Sequence, residues 1–312
     1  MRKEVRVLTH LPAARLEQVR AAAPEVELID VPAEGEPDPG LRGEVLLTLP
    51  WGTPNLASVL ARDVRWVHAI GTGVDGFPLA LLGDRLLTCS RGGSAVPIAE
   101  WVMAMMLAFE KRLPETWITA PPATWNFAEL GTLSGRTLGL LGIGSIGRAI
   151  AERARPFGMR VCAVRRTARP APVEGVEMLA AIPELLERAA PLAVAVPATA
   201  RTRRLLDGAA LARVKPGLHL INVARGSIVD QDALRAALDD GRVACASLDT
   251  VEPEPLPAGH WLYTHPRVRL SAHVSWGMPG AFDHLIDLFT ANLVRYLRGE
   301  ALEGVVDPEE GY

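Results

Sequence analysis

The stretch that decides the fold is LGLLGIGSIGRAIAERARPFGMRVCAVRRT, which spans residues 138–167. It opens with an apolar run typical of a buried strand, turns at closely spaced glycines and continues with a helical pattern. It ends in a second apolar run, so that a strand, a helix and a strand follow one another. This order is a βαβ unit, and it predicts a parallel sheet covered by helices.

Three glycines of this stretch, Gly142, Gly144 and Gly147, fit the pattern G-x-G-x-x-G directly after the first strand. The first glycine permits a tight turn, the second lets a pyrophosphate approach the backbone, and the third lets helix and strand pack closely. The helix that begins at Ser145 and Ile146 presents free N–H groups to phosphates. Because strand, turn and helix stand in the required order, we predict a dinucleotide-binding turn rather than an ordinary structural one.

The second strand of the stretch ends in Arg165, Arg166 and Thr167. An acid here would accept hydrogen bonds from the ribose 2′-OH of NAD, whereas a guanidinium has no acceptor and suits the 2′-phosphate of NADP. The alternative is that both arginines are merely solvated, since all but three of the 33 basic residues are arginine. The missing acid favours NADP(H), with NAD(H) still possible.

The composition describes a chain of 312 residues with 49% hydrophobic residues and a net charge of −3. Such a chain can bury two cores, and it has no strong field that would favour nucleic acid or anionic membranes. The N-terminus MRKEVRVLTH lacks the apolar region of a signal peptide, and no run reaches the roughly 18 apolar residues of a membrane span. We therefore expect a cytoplasmic protein with no membrane or nucleic-acid partner.

The cysteines and histidines give no indication of a metal site. Cys89, Cys162 and Cys245 are far apart in apolar surroundings and are typical of small core residues in a reducing compartment. The histidines form no ligand-spaced set with cysteines or acids, so we expect no bound metal.

Strand and helix patterns alternate along most of the chain. A first series runs from residue 5 to 90 and a second from residue 138 to about 274, with a long apolar helix at 95–113 between them and a last helix at 281–298. We predict an α/β fold with two Rossmann-like doubly wound domains, residues 1–97 with 279–312 and residues 98–278. The apolar helix is buried within its domain or between subunits, and its pattern leaves both open.

Polar residues follow three strands of the second series. Arg225 ends INVARG, Asp249 and Glu254 follow the strand ASL, and LSAHVS is predicted as a strand ending in His273. Each residue alone is ordinary, because a histidine after a strand is usually structural and a loop acid is usually solvated. Ligands of open parallel sheets, however, bind at the carboxyl ends of the strands. Together, the guanidinium can bind a substrate carboxylate, the imidazolium can protonate an oxyanion, and the acid can orient the imidazole.

Several motifs resemble those of the D-isomer-specific 2-hydroxyacid dehydrogenases. They are GIGSIG (142–147), KPGLHLINVARGSIVDQDAL (215–234), LDTVEPEPLP (248–257) and SAHVS (271–275), with WVHAIGTGVDGFP (66–78) and AVPIAEW (95–101) earlier in the chain. The resemblance covers nearly the whole chain. It implies a flavodoxin-like substrate domain, formed by residues 1–97 and 279–312, and an NAD(P)-binding Rossmann domain, formed by residues 98–278.

The resemblance also implies roles for single residues. Arg225, Glu254 and His273 would be the catalytic residues, and Arg225 would also bind the substrate carboxylate. Besides the glycine turn and the residues at 165–167, the implied cofactor contacts are Pro197, Val223 and Asp249, the last on the nicotinamide side. Family members are typically homodimers that pair through the nucleotide domain, which would bury the apolar helix and the loop that holds Trp117 and Trp125.

A closer resemblance is to the glyoxylate/hydroxypyruvate reductases of the bacterial A type. The ending VVDPEEGY (305–312) is similar to theirs, and Arg166–Thr167 stands where they carry an Arg-Thr pair and use NADPH. It implies reduction of a small 2-keto acid to a D-2-hydroxy acid. It also implies that the backbone around Trp51–Gly52 and Gly73–Val74 helps hold the substrate carboxylate, unless Trp51 only packs.

Two other functions stay open at this point. One is a non-catalytic NAD(P)-sensing protein, similar to the corepressors of the same fold, and the other is oxidation of formate or phosphite with NAD. Trp276 stands three residues after His273, where the family usually has a small residue, so the size of the substrate is also open.

Overall fold

The computed structural model describes residues 5–167 and 169–312, and the chain divides into two compact units. The first unit comprises Met1–Ser94 with Met278–Tyr312, and the second comprises Ala95–Gly277. The sequence predicts these boundaries after residues 97 and 278. The first four residues of the predicted substrate domain lie outside the described residues.

Short strands and helices alternate along both units. The strands are β1 (Arg6–Thr9), β2 (Glu27–Asp30), β3 (Val45–Thr48), β4 (Trp66–Ala69), β5 (Leu86–Cys89), β6 (Thr137–Leu141), β7 (Arg160–Val164), β8 (Val176–Met178), β9 (Leu192–Val194), β10 (Leu218–Asn222), β11 (Val243–Leu248) and β12 (Val268–Leu270). The helices are α1 (Glu17–Ala22), α2 (Leu56–Leu60), α3 (Ala95–Glu110), α4 (Ser145–Ala154), α5 (Ile182–Arg188), α6 (Gly208–Leu211), α7 (Gln231–Asp239) and α8 (Ala281–Arg298).

The sheet of the first unit holds parallel strands in the order β2-β1-β3-β4-β5. This is the flavodoxin-like order that the family resemblance implies. Successive residues of β3 point to opposite faces of the sheet. Leu46 packs in one cluster with Leu56 of α2, whereas Val45 and Leu47 pack in another with Phe289 of α8. Helices from both ends of the chain therefore cover the two faces.

The sheet of the second unit holds parallel strands in the order β12-β11-β10-β9-β6-β7-β8. From β6 the chain builds outward through β7 to β8, and then returns to the other side of β6 to build β9 through β12. The strand order therefore reverses between β6 and β9, which is where ligands bind in doubly wound sheets. Two parallel α/β sheets confirm the predicted fold class.

Helix α3 is a core element of the second unit. Ile98, Val102 and Met106 lie in the same buried cluster as Ala149 and Ile150 of α4. This packing supports the prediction that the helix is buried within its own domain. The helix ends at Glu110 rather than at the predicted residue 113, because Arg112 takes a left-handed backbone with φ 53° shortly before Pro114.

Three observations bear on the expected partners. None of the described helices is both long and apolar enough to span a membrane. Within the described ranges, no group of three or more His, Cys, Asp or Glu side chains could hold a metal ion. Cys89, Cys162 and Cys245 are free and buried, as expected of core residues.

Candidate active site

The glycine turn between β6 and α4 has little room for side chains at two of its three glycines. Gly142 has a φ of +98°, and a Cβ there would lie 2.7 Å from the carbonyl oxygen of Ala195. A Cβ on Gly147 would lie 2.3 Å from the carbonyl oxygen of Gly142. Gly144 differs, because a Cβ there would meet nothing within 4 Å. The space above Gly144 is open, which is what the approach of a pyrophosphate requires.

The first turn of α4 is available to an anion. Gly144 is the N-cap of this helix and makes no side-chain capping hydrogen bond. The first N–H groups of an α-helix have no partner within the helix, and they carry its positive dipole end. The backbone at Ser145 and Ile146 is therefore placed to bind phosphate oxygens.

The arginine pair follows β7, which lies next to β6 in the sheet. The N–H of Gly142 donates to the carbonyl oxygen of Val164 at 3.1 Å, so the glycine turn and the end of β7 lie at the same edge. Arg165 is half-buried, and Arg166 and Thr167 are exposed. The edge at which an NAD-specific protein would place an acid thus carries two guanidiniums.

His273 and Glu254 form a hydrogen-bonded pair. Nδ1 of His273 lies 2.8 Å from Oε2 of Glu254, and the two side chains are 39% and 36% exposed. The other carboxylate oxygen of Glu254 accepts the N–H of Val251 at 3.0 Å, which fixes the carboxylate in its loop. With Nδ1 directed at the carboxylate, Nε2 is the ring nitrogen that can give a proton to a bound substrate.

The loop that carries His273 is built around Asp249. Asp249 is 1% exposed, and its carboxylate accepts hydrogen bonds from the Ser271 hydroxyl at 2.6 Å and from the N–H groups of Val274 and Ser275 at 2.9 and 3.0 Å. The predicted strand through His273 was wrong in its extent. Strand β12 ends at Leu270, because these bonds turn the chain around the end of β11.

Arg225 lies at the end of β10, beside the Glu254 loop. A Cβ on Gly226 would lie 1.9 Å from the carbonyl carbon of Val251, so only glycine lets the two loops pack this closely. Asn222 fixes the same turn, because its side chain donates to the carbonyl oxygen of Arg225 at 2.9 Å and accepts the N–H of Ala224 at 3.0 Å. The sequence reasoning missed Asn222, although an asparagine at a strand end is a known signal for a local side-chain turn.

The three proposed catalytic residues therefore follow three neighbouring strands. Strands β10, β11 and β12 lie side by side, and they lead to Arg225, Glu254 and His273 respectively. The structure shows Glu254 and His273 in contact and packs the Arg225 turn against the Glu254 loop. A guanidinium, a carboxylate and an imidazole at one sheet edge have the chemistry for binding and protonating a keto acid.

Comparison with known proteins assigns the family. Residues 103–275 match the model of the D-isomer specific 2-hydroxyacid dehydrogenase NAD binding domain. The chain belongs to this family. The resemblance seen in the motifs is thereby confirmed, and the protein is a D-2-hydroxyacid dehydrogenase that acts with a nicotinamide dinucleotide.

Relatives of this dehydrogenase include glyoxylate/hydroxypyruvate reductase A of Serratia proteamaculans, which is 30% identical over 85% of this chain and 87% of the relative. A D-isomer specific 2-hydroxyacid dehydrogenase from Xanthobacter autotrophicus Py2, solved with NADPH and MES, superposes with a TM-score of 0.85 at 27% identity, covering 99% of this chain and 100% of that one. An NADPH-dependent glyoxylate/hydroxypyruvate reductase from Sinorhizobium meliloti, solved with NADP and sulfate, gives 0.83 at 26% identity with the same coverage.

The dehydrogenase has residues that fit its dinucleotide. The open space at Gly144 and the uncapped start of α4 match a pyrophosphate, and the loops after β9, β10 and β11 hold Pro197, Val223 and Asp249 at the same sheet edge. The Thr202 hydroxyl donates a hydrogen bond to the carbonyl oxygen of Pro197 at 2.7 Å. The structure shows Asp249 as the anchor of the His273 loop, and its contact with the nicotinamide stays a prediction.

Four of the five predicted substrate contacts lie in the first unit of the dehydrogenase, and the fifth, Arg225, lies in the second. Trp51–Gly52 follows β3, and Gly73–Val74 follows the neighbouring strand β4. Trp51 is 65% exposed, and a Cβ on Gly76 would lie 3.5 Å from its Cβ, so the two loops are adjacent. Exposure at a carboxyl edge fits substrate binding better than packing, but that these residues bind the carboxylate stays a prediction.

Proposed function

We propose that this dehydrogenase reduces small 2-keto acids, of the size of glyoxylate and hydroxypyruvate, to D-2-hydroxy acids with NADPH as the preferred hydride donor. The observation that carries the proposal is the 2.8 Å contact between Glu254 and His273, placed beside the Arg225 turn. The names of the relatives from Serratia and Sinorhizobium support the choice of substrates.

The residues of this chain account for binding and proton transfer. Arg225 binds the substrate carboxylate through paired N–H donors and so orients the keto group. Glu254 holds Nδ1 of His273 and so orients the imidazole ring. Nε2 then protonates the oxygen that becomes anionic as the carbonyl is reduced. Hydride transfer is the chemistry that the bound dinucleotide supplies.

The choice of NADPH rests on the residues after β7. Arg165 and Arg166 offer donors to a 2′-phosphate, and Thr167 adds a hydroxyl, whereas the stretch 165–170 contains no acid. The NADPH and NADP complexes of the Xanthobacter and Sinorhizobium proteins support this choice. NADH remains a possible second donor.

The alternative of a non-catalytic sensor is disfavoured by the site itself. A protein that only binds a dinucleotide needs the glycine turn, but it has no need of an imidazole held by a carboxylate. The alternative of formate or phosphite oxidation calls for NAD and is disfavoured by the arginine pair.

A panel of substrates tests the proposal. The protein is mixed with NADPH or NADH and with glyoxylate, hydroxypyruvate, pyruvate or the bulky phenylpyruvate, and loss of the reduced nicotinamide is followed by its absorbance. We expect turnover of glyoxylate and hydroxypyruvate, a D product, and a lower Kd for NADPH than for NADH. No turnover of any acid would favour the sensor. In a separate mixture with NAD and formate or phosphite, formation of NADH would favour the other alternative.

A homodimer is the second part of the proposal. Residues 114–131, here called the aromatic segment, expose Trp117, Trp125 and Phe127 by 71%, 66% and 86%. The end of this segment is fixed to α3, because the Gly131 N–H donates to the carbonyl oxygen of Glu110 at 2.9 Å. Three exposed aromatic side chains on a segment anchored at its end support an interaction site here, and a second copy of the chain is the partner the family implies.

Sedimentation of designed variants tests the dimer. Trp125→Ser with Phe127→Ser should shift the protein from dimer to monomer. Phe157→Ser, which changes an equally apolar exposed side chain outside the aromatic segment, should leave the dimer intact. A wild-type protein that sediments as a monomer at micromolar concentration would contradict this part.

A further inference from the structure

His273 has a backbone conformation that residues with a side chain rarely adopt. Its φ is 53°, in the left-handed region. Its N–H donates to the carbonyl oxygen of Asp249 at 2.9 Å, at the end of β11. Its own carbonyl oxygen accepts the indole N–H of Trp276 at 2.9 Å. Both backbone polar groups of this residue are therefore held, one by main chain and the other by a side chain.

Trp276 is itself held in place to make this bond. The N–H of Ser275 before it donates to the Asp249 carboxylate at 3.0 Å, and the N–H of Gly277 after it donates to the carbonyl oxygen of Val274 at 2.9 Å. The Trp276 side chain is still 39% exposed, so it is only partly used for packing. The most specific contact of the indole is the one that it makes with the backbone of His273.

The bond from Trp276 bears directly on the imidazole. Val274 and Ser275 are anchored on Asp249 through their N–H groups. A change in the ψ angle of His273 would therefore reorient its Cα–Cβ bond relative to the loop, and with it the 2.8 Å contact between Nδ1 and Glu254. A hydrogen bond to the His273 carbonyl oxygen opposes that rotation. We propose that Trp276 is a positioning residue, whose indole N–H holds the left-handed turn that directs the His273 imidazole onto Glu254.

Paired substitutions separate the N–H from the ring. Trp276→Phe keeps an aromatic ring and loses the donor, whereas Trp276→Gln loses the ring and keeps a donor. Trp261→Phe is the control, because Trp261 is a half-buried indole of the same unit that lies under Arg235, away from the His273 loop. If Trp276→Phe does not fold, Trp276→Leu takes its place as the variant without a donor.

The catalytic readout rests on the proposed function. Loss of one neutral hydrogen bond should lower kcat about 3- to 10-fold in Trp276→Phe. The KM for the keto acid and the Kd for NADPH should stay within twofold. Trp276→Gln should lie closer to the wild type, and Trp261→Phe should match it.

A second readout needs neither substrate nor dinucleotide. The histidine ring signals of the ligand-free protein are recorded by NMR at a single pH, and His273→Asn identifies the signal of His273. In Trp276→Phe this signal should shift, because the Nδ1 contact with Glu254 changes, and the signal of His265 should stay unchanged. If no keto acid is reduced, this result still decides the role of Trp276. A His273 signal in Trp276→Phe that coincides with that of the wild type, or a larger shift in Trp276→Gln than in Trp276→Phe, would overturn the proposal.

Discussion

Gly142 and His273 both hold left-handed backbone at the carboxyl edge of the same sheet, with φ values of 98° and 53°. At Gly142 the chain has no side chain, and a Cβ would also lie 2.7 Å from a backbone oxygen. At His273 an imidazole is needed, and the strained backbone is held by its N–H, which donates to the Asp249 carbonyl oxygen, and by its carbonyl oxygen, which accepts the Trp276 indole N–H. A turn that binds a ligand through its backbone can dispense with the side chain, whereas a turn that presents one must be supported by its neighbours.

The largest expected effect comes from replacing His273 by glycine, so that the turn at His273, here called the second turn, resembles the first turn at Gly142. His273→Gly removes the proton donor, so kcat should fall about 10²- to 10⁴-fold, as should that of His273→Ala. The two variants should differ in stability. Glycine adopts the left-handed backbone without strain, so His273→Gly should be more stable than His273→Ala by about 1 kcal/mol in urea unfolding.

A matched control for these variants is His265→Asn. His265 also faces a carboxylate, with Nε2 lying 3.3 Å from Asp239, but it is outside the proposed site. We expect its kcat to match that of the wild type. If His273→Ala keeps its turnover within a few-fold, or is as stable as His273→Gly, the contrast between the two turns does not hold.

The next largest effect separates two roles of glycine within the first turn. Gly147→Ala places a Cβ 2.3 Å from the Gly142 oxygen and should push α4 from the sheet, lowering stability by about 1–3 kcal/mol. Gly144→Ala meets no protein atom within 4 Å, so the unfolding free energy should barely change. Both variants should bind NADPH about 10- to 100-fold more weakly. The methyl group of Gly144→Ala occupies the space of the pyrophosphate, and that of Gly147→Ala displaces the start of α4 that binds it.

Fluorescence titration with NADPH and urea unfolding measure these two properties separately. The informative result is that Gly144→Ala loses affinity at full stability. Unchanged NADPH binding in Gly144→Ala would show that the open space above this glycine is not used by the dinucleotide.

Much of the first turn can be predicted from the sequence, and little of the second. The glycine pattern, its strand and its helix are adjacent in the chain, so local sterics determine them. The contact between Glu254 and His273 depends on the order of β10, β11 and β12, which the family motifs imply but no local pattern contains. The left-handed turn at His273 depends on the buried Asp249, which comes from a different strand.

The same reasoning explains two smaller differences. The sequence predicts a strand that reaches His273, whereas β12 ends at Leu270. The pattern of apolar and polar residues does not reveal that the Asp249 carboxylate accepts hydrogen bonds from the N–H groups of Val274 and Ser275. The need for glycine at position 226 is equally invisible locally. It arises from the Val251 backbone 1.9 Å from where a Cβ would lie, and not from the conformation of Gly226 itself.

A smaller effect is expected at Arg165 and Arg166, whose side chains lie at the same sheet edge as the first turn. Arg166→Ser should weaken NADPH binding about 10-fold through loss of a charge-assisted hydrogen bond, and should leave NADH binding unchanged. Arg160→Ser, at the other end of β7, is the control. Equal losses for NADPH and NADH would mean that Arg166 contacts some other part of the dinucleotide, or supports the fold.

The smallest effect concerns one buried histidine in each of the two sheets, and it sets the pH range in which His273 can be studied. Burial lowers the pKa of His68 in the first unit and of His219 in the second from 6.5 to about 3. Because the unfolded chain binds protons at these residues below pH 6.5 and the folded protein does not, the stabilisation present above pH 6.5 is lost as the pH falls. Each histidine should cost about 0.7 kcal/mol of unfolding free energy between pH 7 and pH 6.

His219→Phe, which can keep the ring contact with Phe109, should remove one such contribution, whereas His284→Asn at an exposed position of α8 should not change the slope. Urea unfolding at the two pH values measures the difference, and an unchanged slope in His219→Phe would mean that His219 takes up a proton in the folded protein.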